Sequence, residues 1–257
     1  MSALAPPLTA PGALDDALRG RGHAVLDAAG LCALLGGIAR ERLDAWWPYW
    51  DRLPDDTHLR DGGRYRRRRH ACFVVDGDDV RQAPHRAHWQ PVEYNALHGG
   101  FERWFEPVEP ALAGDALWAR LLRVAAARAS ALRGARPWYV EAHPFRIDAS
   151  AGIGRPTPEG AHRDGVDLVV VVLVRRVNVK GGETRVFDAG GPQGLRFTLA
   201  EPWSVLWLDD ARMIHETTPV QPLDPGAPAF RDTLVLTCRA GGFQGPQRPD
   251  ATWRSTA

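Results

Sequence analysis

From Leu14 to Leu43 apolar residues recur at helical spacing on both sides of a short extended run, Ala24-Val25-Leu26. The pattern predicts a helix, a strand and a second helix over about Leu31 to Leu43. Residues 1–12, rich in proline and alanine, carry no period and are expected to form a loose tail. The run Trp46-Trp47-Pro48-Tyr49-Trp50 reads as a buried anchor under a loop or as a pocket wall. Next, Arg64 to His70 leads into Ala71-Cys72-Phe73-Val74-Val75, which has strand character. If that strand extends back through the arginines, alternation puts Arg67 and Arg69 on the face of Phe73 and Val75, and both then point inward. Pro84 to Gly100 has no period and predicts an irregular cover, continued by Arg103 to Pro110. Ala111 to Gly134 predicts a helix packed outside a sheet, ended by Gly134 and Pro137.

After Pro137 the texture changes to short strands punctuated by Gly, Pro, Asn and Asp: Trp138 to Asp148, Val166 to Val174, Thr184 to Asp188, Leu195 to Leu199, Trp203 to Leu208, Met213 to Val220 and Arg231 to Arg239. With no helices between them, they imply an antiparallel sandwich or barrel, so the fold class is mainly β with flanking helices. No linker divides the chain. Residues 1–257 are therefore expected to form a single catalytic domain, with residues 1–135 as helical buttress, arginine-rich strand and cover, and residues 136–240 as β core.

Composition narrows the partners. A formal net charge of +1 gives no reason to expect nucleic acid, and no stretch approaches the roughly 20 apolar residues of a membrane span. Cys32, Cys72 and Cys238 are widely separated and odd in number, and no secretory signal is evident, so a cytoplasmic protein without disulfides is expected. Oligomeric state is left open.

The candidate chemistry centres on Gly160-Ala161-His162-Arg163-Asp164-Gly165. His162 and Asp164 share a face in extended backbone and stand just before an apolar strand. His215 comes about 50 residues later, far enough to return on another strand. Two imidazoles and one carboxylate cap one face of an octahedral Fe(II) and leave positions for co-substrate and oxygen. In the last strand Arg231 and Thr233 share one face, opposite Leu234 and Leu236. An inward arginine with a hydroxyl beside it suits the distal carboxylate of a 2-oxo acid. His70, His85, His88 and His98 offer no competing ligand spacing.

The runs Arg66-Arg67-Arg68-Arg69, Asn95-Ala96-Leu97-His98-Gly99-Gly100, Pro158 to Gly165 and Gly181-Gly182-Glu183-Thr184, with His215 and Arg231, carry a resemblance. Over roughly Arg64 to Ala240 the chain resembles the bacterial Fe(II)/2-oxoglutarate dioxygenases that hydroxylate free amino acids, of the isoleucine hydroxylase type. The resemblance implies a double-stranded β-helix, the cupin-like jelly-roll. It further implies iron on His162, Asp164 and His215, 2-oxoglutarate on Arg231 with Thr233, and O2 as oxidant. The products would be a hydroxy-amino acid, succinate and CO2.

The expected substrate is a free L-amino acid, either cyclic such as pipecolate or proline or branched aliphatic, hydroxylated as a building block for a natural product. Arg67 or Arg69 would receive its carboxylate and Glu159 its amine, with His143 facing the pocket. Two other readings stay open: a metal-dependent isomerase or hydrolase on a cupin barrel, and a non-catalytic metal-binding module. Succinate formation separates them from the first.

Overall fold

The computed structural model describes residues 4–246. Its helices are α1 (Leu14–Arg21), α2 (Ala28–Leu34), α3 (Glu41–Asp44), α4 (Trp47–Asp51), α5 (Pro110–Ala113) and α6 (Ala116–Arg133). The first strands in chain order are β1 (His23–Leu26), β2 (Arg66–Arg68), β3 (Ala71–Asp76), β4 (Asp79–Gln82), β5 (Trp138–Asp148) and β6 (Leu168–Val177). There follow β7 (Val179–Gly181), β8 (Thr184–Asp188), β9 (Gly194–Phe197), β10 (Val205–Asp209), β11 (Met213–Thr217), β12 (Val220–Pro222) and β13 (Phe230–Ala240).

An eight-stranded antiparallel sheet runs β1-β10-β6-β13-β5-β3-β4, with β2 also on β5. It faces a smaller sheet ordered β11-β8-β9, and β12 pairs with β7. The two sheets form the jelly-roll. At one end, Val25, Val169, Leu173 and Leu206 of the large sheet pack on Val186, Phe197 and Met213 of the small one, which closes that end with apolar side chains. Polar side chains line the other end, which stays open.

The outer face of the large sheet is covered by helices. Leu234, Leu236 and Cys238 of β13, Val140 and Ala142 of β5 and Phe73 and Val75 of β3 pack against Trp118, Leu121, Leu122, Ala125 and Ala129 of α6. Each fully buried large side chain contributes about 1.5–3 kcal/mol, so this layer is the main store of stability. Helix α6 starts where the Asp115 carboxylate accepts from Leu117 N at 2.8 Å, and stops at Gly134, whose φ of 87° an L side chain rarely adopts. The Asp115 cap splits the expected single helix into α5 and α6. In the same way Gly36 and Gly37, both at positive φ, end the second expected helix at Leu34.

One alternative resolves here and one expectation is corrected. Trp46 and Trp50 are buried anchors, their indole N–H groups donating to Asp115 Oδ2 and to Thr233 O. The expected loose tail is tied down from Leu4 onward, because Thr9 N donates to Val25 O and Thr198 N to Leu4 O. Residues 1–3 of that tail lie outside the described residues.

Candidate iron and 2-oxo acid site

Gly160 and Gly165, at φ 81° and 75°, bracket the turn that carries His162 and Asp164. A side chain at Gly165 would also put Cβ 2.5 Å from the Tyr94 ring, so glycine is required there twice over. His162 forms an isolated antiparallel bridge with His215 of β11, N to O at 3.0 Å and 2.9 Å. That bridge brings the two imidazoles to 4.6 Å between centroids. His162 Nδ1 donates to Gly160 O at 2.9 Å, which turns Nε2 away from the backbone. His162 Nε2 lies 3.8 Å from Asp164 Oδ1, and His215 Nε2 lies 3.9 Å from Asp164 Oδ2. These gaps are too long for hydrogen bonds and within the span of atoms that each reach a shared cation at roughly 2.1 Å.

Two further side chains hold Asp164. Gln90, in the irregular cover, donates through Nε2 to Asp164 Oδ1 at 3.0 Å. Asp210, just after β10, accepts from the backbone N–H groups of Asp164, Gly165 and Val166 at 3.0, 2.8 and 3.0 Å. Burial and the Asp164 carboxylate push Asp210 up to about 7, against the three N–H donors. Burial likewise raises Asp164 and lowers His215. For His162, burial opposes protonation, but Asp164 and Glu159 outweigh it and the pKa rises.

The cavity beside this triad has about 1050 Å³ of empty space, its open mouth included. Arg231 and Thr233 line it from β13, with Leu234 and Leu236 on the opposite face as expected. Arg231 is 3% exposed, and its Nε and Nη2 have no partner among the described residues. Burial and neighbouring Arg176 push its pKa down to about 9, against Asp232, which marks a guanidinium without a counterion. The residues therefore fit both groups. The triad offers the donor set of a non-haem Fe(II), and Arg231 is an orphaned cation suited to the distal carboxylate of 2-oxoglutarate.

The arginine run is placed differently from expectation. Arg67 pairs with Asp55 and Asp148, and Arg69 with Glu106; neither lines the cavity. Arg66 and Arg68 do, at 5% and 3% exposure. The alternation itself holds, since Arg66 to Arg68 and Ala71 to Val75 pair with β5 in a single register. The expectation erred in taking the apolar face of Phe73 and Val75 for the pocket face. That face meets the helices, and the cavity lies on the other.

Glu159 and His143 both line the cavity. Glu159 stands beside the triad, with Oε1 3.6 Å from His162 Nε2 and Oε2 unpartnered among the described residues. His143 belongs to a second cluster, with His70, His88 and Glu141, whose candidate ligand atoms lie within 4.8 Å of one another. No local spacing revealed that cluster, because the residue before β3, strand β5 and the cover each contribute to it. Hydrogen bonds within it hold most of its polar atoms, with His70 Nδ1 left unpartnered among the described residues. Glu141 Oε2 accepts from His70 Nε2 at 2.9 Å and His88 Nδ1 at 2.7 Å, and Arg68 Nη2 donates to His143 Nδ1 at 2.7 Å. A metal-bound imidazole donates its other N–H outward, whereas His143 accepts there, so the bonding describes a fixed carboxylate and not a second metal site. Burial opposes Glu141 ionisation, but the His88 and His70 partners outweigh it and hold the carboxyl below its usual range.

Sequence reading missed Arg66, Arg68, Gln90, Arg103, Glu141 and Asp210. Two signals were present: Glu141 and His143, polar residues two apart on one face of a core strand, and the phase of Arg66 and Arg68 against Phe73 and Val75.

Comparisons with known proteins bear on the family and the fold. A family model described as 2OG-Fe dioxygenase matches residues 47–237. The crystal structure of a bsmA homolog from Methylobium petroleophilum PM1 is 52% identical over 96% of this chain and 99% of that one, with a TM-score of 0.88. IDO from Bacillus thuringiensis shares the fold at 18% identity and a TM-score of 0.72, over 92% of this chain and 100% of that one. The Fe(II)/α-ketoglutarate-dependent dioxygenase TqaL does so at 21% identity and 0.66, over 89% and 86%. Among curated proteins no sequence matches. With its jelly-roll and the family match over most of its length, the chain belongs to the 2OG-Fe dioxygenases, enzymes that use Fe(II), 2-oxoglutarate and O2.

Proposed function

We propose that His162, Asp164 and His215 hold the iron, that Arg231 with Thr233 receives the distal carboxylate of 2-oxoglutarate, and that the enzyme hydroxylates a free L-amino acid, cyclic or branched aliphatic. The observation that carries this reading is the convergence of both Nε2 atoms on one Asp164 carboxylate, in a cavity that also holds the unpartnered Arg231. Bound iron supplies O2 activation coupled to oxidative decarboxylation of 2-oxoglutarate, so that substrate, O2 and 2-oxoglutarate become hydroxylated product, succinate and CO2.

The chain's own residues supply position. Gly160 O fixes the His162 tautomer, Gln90 and Asp210 hold Asp164 and its turn, and the cover contributes His88, Gln90, Asn95 and Arg103 to the cavity wall. The amino-acid reading draws on charges of both signs in the wall. Glu141 Oε2 takes both imidazole donors, so among the described residues Oε1 is left to accept from an ammonium. Buried guanidinium groups stand on the same wall.

The test is an anaerobically loaded Fe(II) and 2-oxoglutarate assay, started with O2, across free amino acids. Succinate is expected to rise with at least one amino acid, whose mass gains one oxygen. Succinate that no amino acid stimulates would overturn the substrate class.

A further inference from the structure

Three buried arginines in the cavity wall lack a carboxylate partner within 4 Å among the described residues: Arg68, Arg103 and Arg231, at 3%, 2% and 3% exposure. Their neighbour Arg66 is neutralised by Asp56 at 2.7 Å. Arginine keeps its charge in proteins, and a buried charge is costly unless paired. One such cation answers to 2-oxoglutarate. Two remain.

Both are held in place. The Arg68 guanidinium lies 3.8 Å from the Phe105 ring centroid and 4.3 Å from that of Phe145, and its Nη2 is spent on His143. Arg103 donates through Nη2 to Gln90 Oε1 at 2.8 Å. The Nε atoms of both are buried without partners. Burial lowers the pKa of each, and mutual repulsion with Arg66 adds to it, the direction expected of cations waiting for an anion. Gln90 then ties Arg103 to Asp164, since its Oε1 accepts from Arg103 and its Nε2 donates to Asp164. An anion at Arg103 thus sits one glutamine side chain from the metal centre.

We propose that Arg68 and Arg103 form a second anion site, separate from Arg231, that receives the carboxylate of the substrate. The enzyme therefore acts on small molecules with a free carboxylate a few bonds from the carbon oxidised, and refuses their amides. This rests on the placement of iron and 2-oxoglutarate proposed above, and deepens the amino-acid reading by naming what recognises its acid group.

The test is calorimetric. Protein loaded with Zn(II), which has no redox chemistry, and 2-oxoglutarate is titrated with L-isoleucine, L-leucine, L-proline and L-pipecolate, with their carboxamides, and with the matching acids that lack the amine. At least one amino acid is expected to bind ten times more tightly than its amide. R103Q and R68Q are each expected to weaken that binding at least tenfold and leave 2-oxoglutarate binding within twofold, with R231Q showing the reverse. Acids without the amine binding as tightly as the amino acids, with amides excluded, would keep the anion site and sink the amino-acid reading. Amides binding as well as acids, no binding by any acid, or 2-oxoglutarate binding lost equally in R103Q and R231Q would overturn the proposal. The comparison of acid with amide needs no variant, so it stands even if R68Q fails to fold.

Discussion

At pH 8.5, where Asp210 is ionised although burial and Asp164 push it up to about 7, Asp210→Asn removes one charge and changes no shape, and the structure sets the size of its effect. Asp210 is 1% exposed and accepts three backbone N–H groups from consecutive residues, the first being Asp164. An asparagine has one acceptor oxygen, which can serve two of the three. Its amide N–H then faces the remaining N–H, donor against donor. One hydrogen bond to a charged group is lost, worth about 1.5–3 kcal/mol. If the strain falls on the turn that aims Asp164, that energy appears in iron binding as a loss of about 10- to 100-fold, the range common for outer partners of metal ligands. Urea unfolding of the metal-free protein gives the stability cost, and Fe(II) titration monitored by 2-oxoglutarate turnover gives the affinity. Weakened iron affinity in a folded variant is the expected result. A variant that loses stability and binds iron normally would show that Asp210 supports the fold alone. Unchanged values in both measurements would refute the hydrogen-bond geometry itself.

Arg231→Gln is expected to raise the 2-oxoglutarate requirement at least tenfold and the amino-acid requirement far less; the opposite pattern in steady-state kinetics would reassign Arg231 to the substrate. Asp232 is fully buried and accepts from Arg146 at 2.7 Å twice and from Arg175 at 2.9 Å, so Asp232→Asn should cost about 3–5 kcal/mol in urea unfolding, and a cost below about 1 kcal/mol would contradict the pairing. Acid should destabilise the metal-free protein from about pH 6.5 downward. Burial holds His143 well below its ordinary value and His88 down to about 3, so below pH 6.5 the unfolded chain binds protons that the folded chain does not. Each contributes up to about 1.4 kcal/mol per pH unit, His88 until about pH 3. Unfolding free energies that stay flat between pH 7.5 and 5.5 would count against neutral imidazoles in that cluster.

The elements that alternation and caps specify were legible. The strand over Trp138 to Asp148 and that over Thr184 to Asp188 match their expected bounds, because each is a clean run between turn residues. The hairpin β3-β4 lost its second strand to sequence reading, since Asp79-Val80-Arg81-Gln82 is mostly exposed and carries no apolar face. In the site, His162, Asp164, His215, Arg231 and Thr233 all reach one cavity, and each sits in a motif or on a strand face whose direction local pattern sets. Gln90 and Arg103 sit in irregular chain, where no period says which way a side chain points. Their positions depend on contacts such as the paired backbone bonds of His88 with Arg103, and on Asn95 O meeting Gly99 N at 2.7 Å, beside which no Cβ fits.

Arg67 and Arg69 carry a different lesson, since their alternation was right and their direction wrong. In a half-solvated sheet the apolar face is the inner one, and an arginine on that face points into the protein. Here both faces of the large sheet are covered, one by helices and the other by the small sheet and the cover. The helix side gains most from apolar burial, so Ala71, Phe73 and Val75 go there, and their parity carries Arg67 and Arg69 to the outer edge. The cavity side must hold cations, imidazoles and carboxylates, and it draws Arg66, Arg68 and Cys72 from the same strands, His70 from the link between them and Glu141, His143 and Phe145 from β5. Those groups would cost stability on the helix side, because each needs a polar partner that a layer of Leu, Trp and Ala does not provide. In a sheet covered on both sides, the face richer in polar residues is therefore the one to read as the site, and a run of arginines entering such a strand points into the cavity at the positions out of phase with its apolar residues.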